Sequence, residues 1–158
     1  METRSKWTIE ELKKYQFATL FKMHKAYVCF VSILDILLLI VAAASFHYGF
    51  NILAIESVVF AILLPLGIYI ITIFRVKRNY SSSKFLQNTV TTFKFDEDRF
   101  EAITDRGSSV IAYADLYRIL ETKTNFYFFM SNNQALTVIK ENCSPELISF
   151  LHGLTLKK

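Results

Sequence analysis

Residue types that interrupt regular structure are scarce in this chain of 158 residues. It has only 4 glycines and 2 prolines, while hydrophobic residues make up 53% of it. Disordered segments have the opposite composition, so we expect an ordered chain. Cysteine is also rare: Cys29 and Cys143 lie far apart, and neither has another Cys or a His at metal-ligand spacing. We interpret both as reduced thiols without a disulfide or zinc.

The sequence also lacks the short motifs of common catalytic and cofactor sites. It has no glycine-rich phosphate loop, no Gly-x-Ser-x-Gly, no His-Glu-x-x-His and no Cys-x-x-Cys. The carboxylates of Asp96, Glu97 and Asp98 are adjacent, but a solvated turn explains them better than a cation site. The three histidines lie in separate parts of the chain: His24, His47 and His152. We infer no enzymatic activity, no cofactor and no metal site.

Polar residues are nearly absent between positions 26 and 74. Two apolar runs, 26–46 and 52–74, are separated by the short polar segment His47–Asn51. About 20 residues suffice for a helix to cross the hydrocarbon core of a membrane. A helix on the surface of a soluble protein would instead carry a polar face along its length. The sequence therefore predicts a transmembrane hairpin of two helices, with the lipid bilayer as its surroundings.

The positive charges are concentrated on the two sides of this hairpin. Six lysines and arginines precede the first run and four follow the second within ten residues, whereas the connecting segment has none. Basic residues favour the cytoplasmic side, so we expect a multi-pass protein of the cytoplasmic membrane with both termini in the cytoplasm. The same placement explains the net charge of +4 without nucleic acid as a partner. A cleaved signal peptide would begin earlier and be shorter.

Residues 1–25 are predicted to contain an amphipathic cytoplasmic helix. Thr8 and Glu11 have the spacing of a capping box, and Trp7 precedes them. The lysines gather on one side of the following helix. Two placements are open: the helix lies in the headgroup layer with Trp7 as its anchor, or it extends the first span and packs on the C-terminal domain.

Two carboxylates, Asp35 and Glu56, are candidate polar contacts inside the membrane. An unpaired charge in hydrocarbon is costly, so such residues are usually neutral, paired or hydrated. Asp35 lies deep in its span and opposite the neighbourhood of Pro65, which cannot donate a hydrogen bond to the Ala61 carbonyl. A protonated Asp35 could donate to that carbonyl or to a second subunit. Glu56 is interpreted as a solvated residue near the outer boundary.

The segment 75–88 reads as a basic juxtamembrane linker. Arg75, Lys77 and Arg78 are its candidate contacts to lipid headgroups. The alternative is a positively charged flank that only fixes the orientation of the hairpin.

Residues 89–158 change to the two-residue alternation of β-strands. Ser144 and Pro145 then have the positions of a helix cap and first helical residue. This pattern predicts a small antiparallel meander or partial barrel with a C-terminal helix that covers its open side. The predicted strands are Thr89–Phe95, Arg99–Thr104, Ser109–Tyr113, Leu116–Thr122, Asn125–Met130 and Gln134–Glu141.

This C-terminal part resembles the YcxB-like family of small bacterial membrane proteins. The resemblance rests on three stretches, Phe93–Ile103, Ile111–Thr122 and Asn125–Phe129, and on the closing helix. One departure is Val138-Ile139-Lys140, where an Ile-Pro-Lys-like step is expected. The resemblance implies a β domain similar to bacterial pleckstrin-homology (PH) domains, and it implies no activity.

Two functions from different classes remain open at this stage. The first is a membrane-bound protein with a cytoplasmic PH-like module that binds a protein partner or lipid headgroups. The second is a small oligomeric transporter or pore subunit that uses Asp35. The size of the β domain favours the first, because a transporter would devote more of its length to polar-lined spans. A homo-oligomer is compatible with both.

Overall fold

The computed structural model describes residues 1–156, apart from the side chain of Phe85. Lys157 and Lys158, the last residues of the predicted domain 89–158, lie outside the described residues. The chain forms two compact units. The helical unit comprises Ile9–Asn79, and the β unit combines Met1–Thr8 with the chain from Tyr80 onward.

In order, the elements are β1 (Glu2–Lys6), α1 (Ile9–Lys22), α2 (Lys25–His47), α3 (Asn51–Ser82), α4 (Lys84–Asn88), β2 (Val90–Phe95), β3 (Arg99–Thr104), β4 (Gly107–Ala112), β5 (Arg118–Glu121), β6 (Asn125–Ser131), β7 (Gln134–Ile139) and α5 (Pro145–Leu156).

The predicted hairpin is formed by α2 and α3, which have 23 and 32 residues. Gly49 allows the tight connection between them, because its φ of 81° is a backbone conformation that residues with a Cβ rarely adopt.

At 1.5 Å per residue, α3 is about 48 Å long, which exceeds a hydrocarbon core of about 30 Å. The predicted basic juxtamembrane linker, 75–88, contains the last turns of this helix and the short helix α4. It is mostly helical, since it contains no glycine or proline that would end α3 before Ser82.

Small residues bring the two long helices together. The buried residues of α2 are Ala42 and Ser45, and among those of α3 are Ala54, Ser57 and Ala61. Large apolar side chains point away from this contact instead. In the most apolar window of each helix only 11% of the residues are buried inside the fold. The core helix of a soluble protein would be mostly buried, so this distribution supports a membrane location.

Helix α1 is a separate element beside the hairpin. The chain leaves helical geometry at His24, between α1 and α2, where ψ is 44°. The ring of Phe17 stacks on Tyr69 of α3 with 5.7 Å between centroids. The alternative in which this helix continues the first span is therefore wrong. Trp7, the proposed headgroup anchor, lies in the β unit, where it lines a small crevice with Thr91 and Leu136.

The β unit contains two antiparallel sheets. The first has the order β1-β2-β3-β4 and the second β5-β6-β7. The predicted antiparallel strands and the terminal helix are confirmed, but a short 3-10 turn at Tyr113–Asp115 divides the meander. Strand β1 was not predicted, and it occupies residues that were assigned to the N-terminal helical segment. It pairs along its whole length with β2, from Glu2 opposite Lys94 to Lys6 opposite Val90.

Aromatic rings fill the space between the sheets and α5. Phe93, Phe95, Phe100 and Phe128 are each at most 2% exposed, and their ring centroids lie 5.2 to 6.2 Å apart where they touch. Helix α5 covers this core with Leu147 and Leu151, which are buried. The predicted cap is present: the Leu147 backbone N–H donates to Ser144 Oγ at 3.3 Å.

Candidate functional site

Asp35 lies on the face of α2 that is turned toward α3. Ser32, three residues earlier, and Leu39, four residues later, line two cavities between these helices. The Asp35 Oδ1 atom is buried and has no hydrogen-bond partner among the described residues. The predicted hydrogen bond to the Ala61 carbonyl is therefore not formed through this oxygen. Asp35 as a whole is partly buried, and its Oδ1 is a buried polar atom on a mostly apolar face of α2.

Glu56 lies in a different environment near the connection between the spans. It is exposed and borders a shallow hollow with Gly49, Phe50 and Leu53. The two cavities pair Val31 with Pro65 and Ala42 with Ala54, so Asp35 is opposite residue 61 or 62. Glu56 is then five or six residues from that level, or about 8 to 9 Å along α3. The structure does not bring the two carboxylates together.

The three candidate headgroup residues lie in the last turns of α3. Arg75, Lys77 and Arg78 are all exposed, and none of them forms a salt bridge with a described residue. Val76, between them in sequence, is fully buried. The helix thus presents three cationic side chains on its exposed sides.

A polar cluster that the sequence analysis missed connects α5 to the second sheet. Glu121 on β5 forms an ion pair with Lys140 and accepts hydrogen bonds at its other oxygen from Thr155 and from the ring of His152, whose Nδ1 is 2.6 Å away. The Lys140 ammonium also lies 4.5 Å from the centre of the Phe126 ring. Burial raises the pKa of Glu121, but the hydrogen bonds from Lys140 and His152 outweigh it and hold that pKa below its ordinary value. Each of these charges has a partner in the cluster, which holds α5 in place.

Strand β1 also connects the two sheets of the β unit. Thr3 donates to the Asn142 carbonyl at 2.7 Å, and the Ile139 N–H donates to Ser5 Oγ at 3.1 Å. The Asn142 side chain donates to the Arg4 carbonyl at 2.8 Å. These contacts close the gap between β1 and the end of β7. The N-terminal residues are therefore an integral part of the β unit.

The remaining titratable groups of the β unit have structural roles. Burial raises the pKa of the Cys143 thiol, which therefore stays protonated and is a poor nucleophile near neutral pH. The Tyr113 hydroxyl donates to the Asp96 carbonyl at 3.1 Å. Burial and the nearby carboxylates of Asp96 and Asp98 raise the pKa of Tyr113. Within residues 1–156, no three His, Cys, Asp or Glu side chains are grouped so that they could hold a metal ion.

The outer edge of the first sheet is open and uncharged. Strand β4, with the sequence Gly-Ser-Ser-Val-Ile-Ala, is the last strand of its sheet. Its first four residues are exposed, and Val110 is 64% exposed. Edge strands are usually protected by a charge, a proline or a bulge, and β4 has none of these. This edge is the part of the β unit best suited to bind another strand.

Comparison with known protein families gives a match within the β unit. The family described as YcxB-like protein matches residues 95–151, which lie from the end of β2 to the middle of α5. This range covers about a third of the chain. No curated protein and no solved structure was found to match. Residues 95–151 are therefore similar to the YcxB-like family, as the sequence resemblance predicted.

Proposed function

We propose that this protein is an integral membrane protein that holds a PH-like interaction module at the cytoplasmic face of a bacterial membrane. The module binds a protein partner, and the hairpin is its anchor. The observation that carries this proposal is the pairing of β1 with β2. Two strands of one sheet must lie on the same side of a membrane, so the chain between Lys6 and Val90 crosses it an even number of times. The two apolar helices α2 and α3 supply that number.

The arrangement of the β unit supports the comparison with PH domains. Four strands and three strands form two sheets, and a helix after the last strand covers the core. The open edge of β4 supports a protein segment as the partner, because an extended segment can add to an exposed sheet edge through backbone hydrogen bonds. Lys140 and His152, two of the basic groups of this module, are engaged with Glu121 and are therefore weaker candidates for binding a lipid headgroup.

The orientation is tested by reporter fusions to the full chain. A reporter after Lys158 is expected to report the cytoplasm, and the same reporter inserted at Asn51 is expected to report the outside. Both reporters in one compartment would contradict the hairpin topology.

The partner site is tested by crosslinking in membranes. A photoreactive amino acid at Ser108, which is exposed on β4, should capture a partner, and the additional substitution Val110→Lys should abolish that capture, because a charge on an edge strand prevents strand addition. Tyr117→Lys is the matched control, since Tyr117 is exposed at 57% but lies outside β4. An equal loss of partner capture with both variants would contradict the assignment of the partner site to β4. Capture that is unaffected by Val110→Lys would contradict it as well.

A further inference from the structure

The helical unit contains an apolar cavity at the end opposite to the Gly49 connection. It has a volume of about 220 Å³ and lies between α1, α2 and α3. The residues that line it include Phe17, Phe21, Val31, Ser32, Pro65 and Tyr69. Nearly all of these side chains are apolar or aromatic.

The sequence explains why the helices leave this space open. The stacking of Phe17 on Tyr69 sets the distance of α1 from α3. Ser32 has a small side chain on the facing side of α2, and Pro65 occupies the corresponding level of α3. The cavity is open to the surroundings of the helices, since Phe21, Ser32 and Tyr69 are exposed. Water is not held firmly where polar partners are lacking. An apolar ligand is therefore the occupant that this lining favours.

Two cations lie beyond the open end of the cavity. Lys25 is exposed and precedes Ser32 by seven residues, and Arg75 is exposed and follows Ile68, another lining residue, by seven. Seven residues are close to two helical turns, so each cation lies on the same face of its helix as the lining residue. It is about 10 Å from that residue along the helix axis. An ammonium and a guanidinium together are suited to a phosphate group.

A second cavity in the same unit provides a comparison. It lies toward the Gly49 connection, between Leu39, Ala42 and Phe46 of α2 and Ala54 and Val58 of α3. Its volume of about 490 Å³ is larger. Between Lys25 and Arg75, however, the sequence has no lysine or arginine. Of these two cavities, the first is thus the one that has lysine or arginine side chains near it.

We propose that the first cavity binds one acyl chain of an anionic phospholipid, with the lipid phosphate held by Lys25 and Arg75. The site is a specific lipid site in the helical unit, distinct from the partner-binding edge of the β unit. It rests on the membrane location of the hairpin but is independent of what the β unit binds.

The test uses the full-length protein in phosphatidylcholine vesicles that contain a trace of phosphatidylglycerol with a photoreactive group in its acyl chain. Peptides that contain Val31 or Ile68 are expected to carry the label. Unlabelled phosphatidylglycerol should compete, whereas inorganic phosphate and additional phosphatidylcholine should not. The same photoreactive chain on phosphatidylcholine should label these peptides about fivefold less, which corresponds to the attraction of one cation for an anionic lipid.

Two matched pairs of variants locate the site. Arg75→Gln should reduce the labelling about fivefold. Lys123→Gln should leave it unchanged, because Lys123 is an exposed lysine of the β unit and is not part of the helical unit that contains the cavity. Ser32→Phe fills the first cavity and should abolish the labelling, whereas Ala43→Phe fills the second and should not.

Three results would overturn the proposal. Equal labelling around both cavities, insensitive to Arg75→Gln, would mean that only the general lipid surroundings were detected. If the residues of the cavity carry no label and crosslinked dimers form instead, a second copy of the chain fills the cavity. The absence of label from all of α2 and α3 would instead contradict the membrane location itself.

Discussion

The two units use the same apolar residue types in opposite ways. In the β unit, Phe100 and Phe128 are fully buried and their rings touch at 5.2 Å. In the helical unit, Phe46 and Phe60 are 73% and 62% exposed. The β unit hides its aromatic residues from water, whereas the hairpin buries alanine and serine and turns its large side chains outward. This contrast teaches that hydrophobicity alone does not define a core, since lipid does not penalise an exposed phenylalanine.

The largest expected effect comes from removing β1. Deleting residues 2–6 should cost several kcal/mol and abolish cooperative unfolding of the β unit, because one strand of four and the contacts of Thr3 and Ser5 are lost. An isolated fragment from Tyr80 onward should fail in the same way, as measured by circular dichroism during heating. Attaching residues 1–8 to its C-terminus through a flexible linker long enough to reach β2 should restore cooperative melting. A fragment that melts cooperatively without β1 would mean that the β unit folds from the C-terminal part alone.

A matched pair of substitutions tests the contrast between the units directly. Phe100→Ala should destabilise the β unit by about 3–5 kcal/mol, because it opens a cavity in a packed core. Phe60→Ala should change the stability of the protein in detergent or lipid by less than about 1 kcal/mol, since its ring packs against no protein core. Denaturant titration followed by tyrosine fluorescence and by proteolysis measures both. Equal effects would mean that the exposed face of α3 packs on protein, for example on a second copy.

The polar cluster at Glu121 should have a smaller effect that depends on pH. The pKa of Glu121 is held below its ordinary value of 4.5, so the ionised carboxylate stabilises the folded state above that pH. This contribution is lost as the pH falls through the lowered pKa. Glu121→Gln should destabilise the β unit by about 1–2 kcal/mol at pH 7 and flatten the loss of stability in acid. Glu97→Gln, in an exposed turn, serves as the control, and identical acid profiles for the two variants would contradict this role.

The smallest effect is expected at Asp35. Its buried oxygen has no hydrogen-bond partner among the described residues, so Asp35→Asn and Asp35→Leu should each change the thermal stability by less than about 1 kcal/mol. Both variants should insert into membranes normally. A pH-dependent ion flux in vesicles that is present with the wild type and absent with Asp35→Asn would contradict this prediction and favour the transporter hypothesis.

The parts of the fold that could be predicted are those in which local pattern and burial agree. The strands β2 to β7 and helix α5 follow from alternation, turns and the Ser144 cap. Strand β1 could not be found in this way, because its inward side chains are Thr3 and Ser5, and an alternation of polar with charged residues gives no strand signal. Its burial depends on the partner strand 90 residues later.

The candidate sites were less predictable, because they depend on contacts between distant residues. Glu121, Lys140 and His152 lie on three different elements, and no spacing in the sequence connects them. On α5, Leu147 and Leu151 are the buried residues, while Phe150 is partly buried and meets Tyr113 edge-on. Asp35 stands out in the sequence as a carboxylate in an apolar run, but its hydrogen bonding could not be read from the sequence.

The pairing of β1 with β2 has a consequence for how the protein is made. A ribosome synthesises Glu2–Lys6 first, and the strand that completes its hydrogen bonding follows only after both long helices. At typical rates of translation this interval lasts roughly 4 to 20 seconds. In the proposed topology, α2 and α3 enter the membrane during that time while β1 stays on the side of synthesis. The β unit therefore completes its first sheet only after both long helices have been made, and a factor that binds those five residues would prevent this without contacting the rest of the chain.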